Sequence, residues 1–380
     1  MDDREADAAR RVIRSGWVTQ GPEVATFERE FASAVGAGHA CAVSSCTAAL
    51  HLALRAVGVG PDHEVVTASF SYVATANAIR YCGAVPVFAD IERSSPNLDP
   101  EEVEACVGER TRAILCVHQM GMPCDVRGLA EIATRHGIPL IEDAACAIGS
   151  EVRGTDGFEP IGRPHGHIAC FSFHPRKLLT TGDGGMLTTR DPELDARFRR
   201  ERQHGMDVAA WARHASSQMP AEQHISLGFN YRMTDIQAAV GRVQLSRLSE
   251  MLVRRRFLAD RYARLLQPLP VAVPRVPEWG RTNWQTFWIE LADRMDRDQV
   301  MQCMRDAGIA TRRGISCAHR EPAYASEPWR AGPRGLPNSE RAQARGLMLP
   351  LYHEMTESDQ DFVVEALAAA LSAGAVRAER

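Results

Sequence analysis

Residues 170–186 read CFSFHPRKLLTTGDGGM, and the reading of this stretch decides the fold. Residues 168–173 are rich in β-formers and residues 186–189 resume that pattern, which predicts a strand, an irregular crossing and a second strand. Lys177 falls in the crossing and is followed at once by apolar residues. A lysine there either snorkels its ammonium to water or serves a purpose that needs a partly desolvated amine, since burial lowers a lysine pKa by as much as about 3–5 units.

Upstream, strand-like EVVTAS, PVFADI, AILCVH and PLIEDA alternate with helix-like SYVATANAIRYCG, DPEEVEACVG and VRGLAEIATRHG. That alternation predicts βαβ units, hence an α/β large domain with a mostly parallel central sheet flanked by helices. Residues 22–35 place Val24, Phe27, Phe31 and Val35 on one helical face with Gly36 as the stop, and this helix is expected to open the fold. HACAVS (39–44) reads as a buried strand, and residues 47–57 as a helix that Ser44 or Ser45 can cap. Downstream, a helical pattern runs almost unbroken from Thr234 to Leu266, and beyond the Pro-rich residues 268–277 a strand and two helices predict a smaller α+β domain. The expected division is 1–248 for the large domain with its N-terminal segment and 249–380 for the small one.

The chain has 380 residues, 45% hydrophobic and 24% charged, with a formal net charge of −4. No basic excess speaks for nucleic acid, no run reaches the roughly eighteen apolar residues of a membrane span, and the charged first residues lack the apolar core of a signal peptide. A soluble cytoplasmic protein is expected, bound to neither nucleic acid nor membrane. The ten cysteines are irregularly spaced without a CxxC pair, so they read as buried thiols and not as a zinc site or disulfide framework, and no metal is expected.

In open α/β sheets ligands lie outside the carboxyl ends of the strands, where Asp143 ends PLIED and Ser44 to Thr47 end HACAVS. The helix after SSCTAAL offers free N–H groups and a positive dipole end to a phosphate. The glycines of TGDGGM run into a strand, not a helix, and no GxGxxG or GxxxxGK[ST] occurs, which disfavours NAD and ATP. A phosphate-binding helix start, a strand-end carboxylate and Lys177 match what pyridoxal 5′-phosphate requires: an amine for a Schiff base, a partner for its pyridine nitrogen and a phosphate site. An aspartate and a pyridinium about 3 Å apart attract with roughly 5 kcal/mol at an effective dielectric near 20.

The chain resembles the DegT/DnrJ/EryC1/StrS aminotransferases of fold type I, which act on keto sugars of nucleotide sugars and on keto cyclitols. The matching stretches are SGWVTQGPEVATFEREFA (15–32), VSSCTAALHLAL (43–54), SYVATANAI (71–79), IEDAACAIGS (141–150), FSFHPRKLLTTGDGG (171–185) and GFNYRMTDIQAAVGRVQL (228–245). The resemblance implies that Lys177 forms the Schiff base and moves protons, and that Asp143 pairs with the pyridine nitrogen. It implies that Ser172 and the turn of Ser45, Cys46 and Thr47 hold the phosphate, with Tyr72 stacked on the ring. Asn230 would reach the phosphate of a partner subunit, making the active site a shared feature of a homodimer. Glutamate would be the amino donor and a keto sugar, most often nucleotide-linked, the acceptor, with a keto cyclitol or free keto sugar as the alternative.

Two departures stand out. Cys146 occupies a position where the family often has Gln or His facing the cofactor's phenolic oxygen, and a thiol is a much weaker donor. Cys46 stands where glycine is common. Read alone, Lys177 is a solvent-pointing lysine, Asp143 a strand-end cap and Tyr72 a core aromatic. His118 and His204 either touch substrate or fill a strand end. Cys146 has no identifiable orienting pair for a nucleophile and reads as an inert thiol. The family's cofactor-dependent dehydratases resemble this chain with histidine at the lysine position, so Lys177 disfavours that reaction. A non-catalytic regulatory protein of the same fold is disfavoured because lysine and aspartate are both kept. Arg232, Arg312, Arg313 and Arg320 are the candidates for an acceptor's diphosphate.

Overall fold

The computed structural model describes residues 1–207 and 223–377. Helices α1 (Asp3–Ser15) and α2 (Pro22–Val35) lead into β1 (His39–Val43), α3 (Cys46–Ala56), β2 (Glu64–Ala68), α4 (Ala74–Tyr81) and β3 (Val85–Ala89). Then come α5 (Pro100–Cys106), β4 (Thr111–Val117), α6 (Val126–His136), β5 (Leu140–Asp143), the short β6 (Glu151–Arg153) and β7 (Phe158–Pro160), β8 (Ile168–Ser172), β9 (Gly185–Thr189) and α7 (Pro192–Glu201). The second half holds α8 (Asp235–Ser246), α9 (Leu248–Leu265), β10 (Val271–Ala272), β11 (Gly280–Arg281), β12 (Phe287–Leu291), α10 (Arg297–Asp306), β13 (Arg312–Arg313) and β14 (Arg330–Ala331). It closes with α11 (Pro337–Arg345), β15 (Gly346–Leu349) and α12 (Glu357–Arg377).

The large sheet has the order β1-β9-β8-β5-β4-β2-β3-β14. β9 is antiparallel to both of its neighbours and the remaining pairings are parallel, so β1, β8 and β5 all run the same way. Their carboxyl ends therefore open on one side. Successive strand residues face opposite layers: Val66, Ile114 and Leu140 pack with α2, α5 and α6, while Val65, Leu115 and Ile141 pack with α3, α4 and α7. Both faces being covered, the strands are largely apolar, as a parallel sheet demands, with buried polar residues such as Thr67, Glu142 and Asp143 among them. Phe27 and Phe31 of α2 clamp the Lys177 hairpin, with Phe31 and Phe171 ring centroids 5.0 Å apart. Burying each phenylalanine contributes about 1.5–3 kcal/mol.

A second sheet, β10-β12-β15-β13, packs with α9, α10 and α12 around Leu258, Tyr262, Phe287 and Leu367. The C-terminal part does not keep to its own sheet, because β14 adds itself in parallel to β3 of the large one. Two expectations are corrected. The helix beginning at Pro22 does not open the fold, since α1 precedes it, started by a capping box in which Asp2 accepts from Arg4 N–H and Glu5 reaches back to Asp2 N–H at 2.7 Å. The pattern from Thr234 to Leu266 is two helices parted at Arg247, whose backbone leaves the helical ladder and whose guanidinium binds Glu5 and Asp2 of α1. No helix among the described residues is long and apolar enough to cross a membrane.

Candidate active site

β5 ends on Asp143, 4% exposed, at the floor of the crevice. Its Oδ2 accepts from Thr75 Oγ1 at 2.8 Å and its Oδ1 from the Ala145 N–H at 3.1 Å. Thr75 is in turn joined to Ser71 Oγ at 2.8 Å, so the first turn of α4 orients the carboxylate. Burial pushes the Asp143 carboxyl up, against the two donors and the nearby Lys177 cation. A carboxylate so desolvated gains strongly from a cation placed against it.

Lys177 comes from the crossing between β8 and β9, the two strands the sequence predicts, which pair antiparallel. Its Nζ lies 3.0 Å from Cys146 Sγ on the loop after β5. Burial pulls the Lys177 amine down, yet the Cys146 sulfur and the Asp143 carboxylate raise it and prevail, so its pKa lies above the usual lysine value. Desolvation alone suggested the reverse, and the facing sulfur and carboxylate explain the difference.

The start of α3 and the end of β8 are brought together by close approach. Ser172 of β8 pairs with Gly185 of β9, and a Cβ on Gly185 would come within 2.5 Å of the Ser45 carbonyl carbon and oxygen. Only glycine lets β9 pass so near the start of α3, which places Ser172 beside that start. Ser45 caps α3 by accepting the Ala48 N–H at 3.1 Å. The Cys46 and Thr47 N–H groups, lying in the first turn, have no carbonyl within the helix to bind and remain for an anion. Cys46 itself is buried, its Sγ 3.7 Å from the Cys170 carbonyl, with its thiol pushed well up by burial.

Tyr72 is 76% exposed at the turn before α4, whose Ser71 and Thr75 belong to the Asp143 network. Asn230 is exposed on an extended strip that meets the end of β1, with the Ser44 N–H donating to the Tyr231 carbonyl at 2.8 Å. His118 is wholly buried. It donates from Nε2 to Glu142 at 3.1 Å and accepts the Cys124 N–H at Nδ1, so it ties the end of β4 to β5 and does not line the crevice. His204 is exposed in a left-handed turn. All ten cysteines are free.

Sequence reasoning missed Thr75, Asn283 and Gln285. Gln285 Oε1 accepts from Leu178 N–H at 2.8 Å and Asn283 Nδ2 donates to the Cys146 carbonyl at 2.8 Å. Thr75 carries only the signal of a hydroxyl in a helix's first turn, and Asn283 and Gln285 lie more than a hundred residues from the loops they bind.

A strand-end carboxylate and an amine beside an open helix start define a pyridoxal-phosphate-dependent aminotransferase of fold type I. The chain belongs to the DegT/DnrJ/EryC1/StrS aminotransferase family, whose model matches residues 1–368. It is similar to the aminotransferase TlmJ from Streptoalloteichus hindustanus, with 35% identity, 98% of this chain and 97% of that one covered, and a TM-score of 0.88. S. venezuelae DesV, solved in complex with a ketimine intermediate, shares 36% identity over 99% of this chain and 94% of its own, with a TM-score of 0.86. 3-Amino-5-hydroxybenzoic acid synthase shares 29% identity over 98% and 97%, with a TM-score of 0.88.

Proposed function

We propose that the protein moves an amino group from glutamate to the ketone of a nucleotide-linked sugar, at a site shared between two copies of the chain. The observation that supports the catalytic part is that the Lys177 amine, set against Cys146, and the buried Asp143 carboxylate lie close enough for each to influence the other's charge. Bound pyridoxal 5′-phosphate supplies an electrophilic carbon for amines and an electron sink for the bond broken at the substrate carbon. Lys177 Nζ would be the amine that anchors the cofactor, and the same amine would serve as the general base and acid at the substrate carbon. Asp143, whose orientation Thr75 fixes, would pair with the ring nitrogen and favour its protonated form. Ser172, Ser45 and the amides of Cys46 and Thr47 would hold the phosphate, and Cys146 and Tyr72 would contact the ring.

Asn230, exposed beside Leu227 and Ile225, which are 84% and 54% exposed, fits a role in the partner's phosphate site. For the acceptor, Arg313 and Arg320 are already bound to Asp298 and Glu340 at 2.6 and 2.7 Å. Arg232 and Arg312 have no acidic partner among the described residues and are the cations left for a diphosphate. Two measurements test the reading. Lys177→Ala should fold yet leave no borohydride-reducible link to the cofactor. UDP or dTDP at millimolar level should inhibit transamination of the true acceptor, less so in Arg232→Ala or Arg312→Ala. Turnover of a free keto cyclitol without inhibition by any nucleoside diphosphate would overturn the sugar-nucleotide part.

A further inference from the structure

Residues 283–285 grip both loops of the active site while taking no part in the chemistry. Gln285 Oε1 accepts the Leu178 N–H at 2.8 Å and Gln285 Nε2 donates to the Arg176 carbonyl at 2.6 Å, so one side-chain amide brackets Lys177 on both sides. Asn283 Nδ2 donates to the carbonyls of Cys146 and Ile148, each at 2.8 Å. The two side chains are joined, because Asn283 Oδ1 accepts the Gln285 N–H at 2.8 Å.

The segment is itself held in an unusual backbone. Trp284 sits at φ 53, a left-handed conformation a bulky residue keeps only when its surroundings impose it. Buried Arg255 of α9 imposes it, donating Nε to the Trp284 carbonyl and Nη2 to the Gln285 carbonyl at 2.8 Å each. Trp284 also stacks on Phe287 with centroids 5.4 Å apart. On the other side Gly121 leaves no slack, since a Cβ there would fall 1.9 Å from Asn283 Oδ1.

A lysine side chain is long and flexible, so the position of its amine depends on how firmly its backbone is fixed. We propose that Gln285 is a positioning residue for Lys177, aligned by Asn283 and Arg255 so that the lysine loop and the Cys146 loop keep a fixed separation. A side-chain amide combines a donor and an acceptor in the fork this requires. The proposal rests on Lys177 being the attachment site.

The experiment compares full-length Gln285→Leu and Gln285→Glu with wild type and with Lys177→Ala. Four quantities are read: amide hydrogen exchange at Leu178 before cofactor is added, the rate of borohydride-trappable attachment of added pyridoxal phosphate, and kcat and KM for the amino donor. Gln285→Leu should raise Leu178 exchange, slow attachment and lower kcat by roughly 10- to 100-fold, in line with about 10²-fold for a misplacement near 1 Å, with KM changed much less. Gln285→Glu keeps the acceptor for Leu178 and loses the donor to Arg176, so it should be intermediate; it also serves if the leucine variant does not fold. Wild-type attachment and kcat in a folded variant, with only the melting temperature lowered, would overturn the positioning role. Trappable attachment in Lys177→Ala would instead overturn the assignment of Lys177, whatever Gln285 does.

Discussion

Lys177 Nζ and Cys146 Sγ lie 3.0 Å apart, each on a different loop at the same end of the sheet. The sulfur is the leading cause that raises the lysine against its desolvation. Attachment of the cofactor needs the unprotonated amine, so removing the sulfur should release that proton more readily. In Cys146→Ala the rate-versus-pH curve for attachment should move to lower pH. Cys146→Ser should keep turnover within about tenfold. Complete inactivity of a folded serine variant would point to covalent chemistry at the thiol.

Thr75 donates to the buried Asp143 carboxylate, and a hydrogen bond to a charged group is worth about 1.5–3 kcal/mol. Thr75→Val removes the largest influence holding that carboxyl down, so its pKa should climb further. We expect kcat to fall by roughly tenfold or more, with partial recovery at higher pH where Asp143 is again ionised. Thr75→Ser should behave as wild type. An unchanged pH profile in Thr75→Val would show that the carboxylate is oriented by other means.

If Asn230 completes a partner's site, damage at Asn230 and at Lys177 must be separable by subunit. Dimers mixing Asn230→Ala with Lys177→Ala should regain one working site of the two, while each homodimer stays impaired. Full activity of a dilute monomer, measured together with its sedimentation, would rule the arrangement out.

His51, on α3, is pulled down to about 4 by burial and by the neighbouring Arg55. Unfolded, the ring titrates near 6.5. A histidine depressed on folding contributes stability that is present above about 6.5 and lost as pH falls toward 4, on the order of 1–3 kcal/mol in total. His51→Gln, which can still meet the Tyr231 hydroxyl that now lies 3.0 Å from Nδ1, should flatten the fall in denaturation midpoint across that window. An identical slope in both proteins would place the acid sensitivity elsewhere.

Much of this layout was legible in the residues. Helix α2 was set by Phe27, Phe31 and Val35 on one face and a left-handed Gly36, and the β8–β9 hairpin by its apolar ends. What periodicity could not show was held by polar tertiary contacts. α1 buries only Glu5 and Val12 and docks through Glu5, which accepts from Gln244 Nε2 at 2.7 Å and from Arg247. The break at Arg247 has the same origin. In the site, a lysine and a strand-end aspartate carry sequence signals, whereas Gln285 gains its meaning only once its amide lies beside Leu178.

The two residues of β14 close the edge of the large sheet: Arg330 and Ala331 pair with Val87 and Phe88, and Arg330 reaches Glu64 at the start of β2. During synthesis that edge waits. The partner of β3 leaves the ribosome about 240 residues later, a delay of roughly 10–50 s at ordinary elongation rates. For that interval the nascent chain presents the unpaired amides and carbonyls of an apolar strand, which is a template for pairing with another chain. Sparser loading of ribosomes on the message, or a holdase bound to β3, should therefore raise the soluble yield.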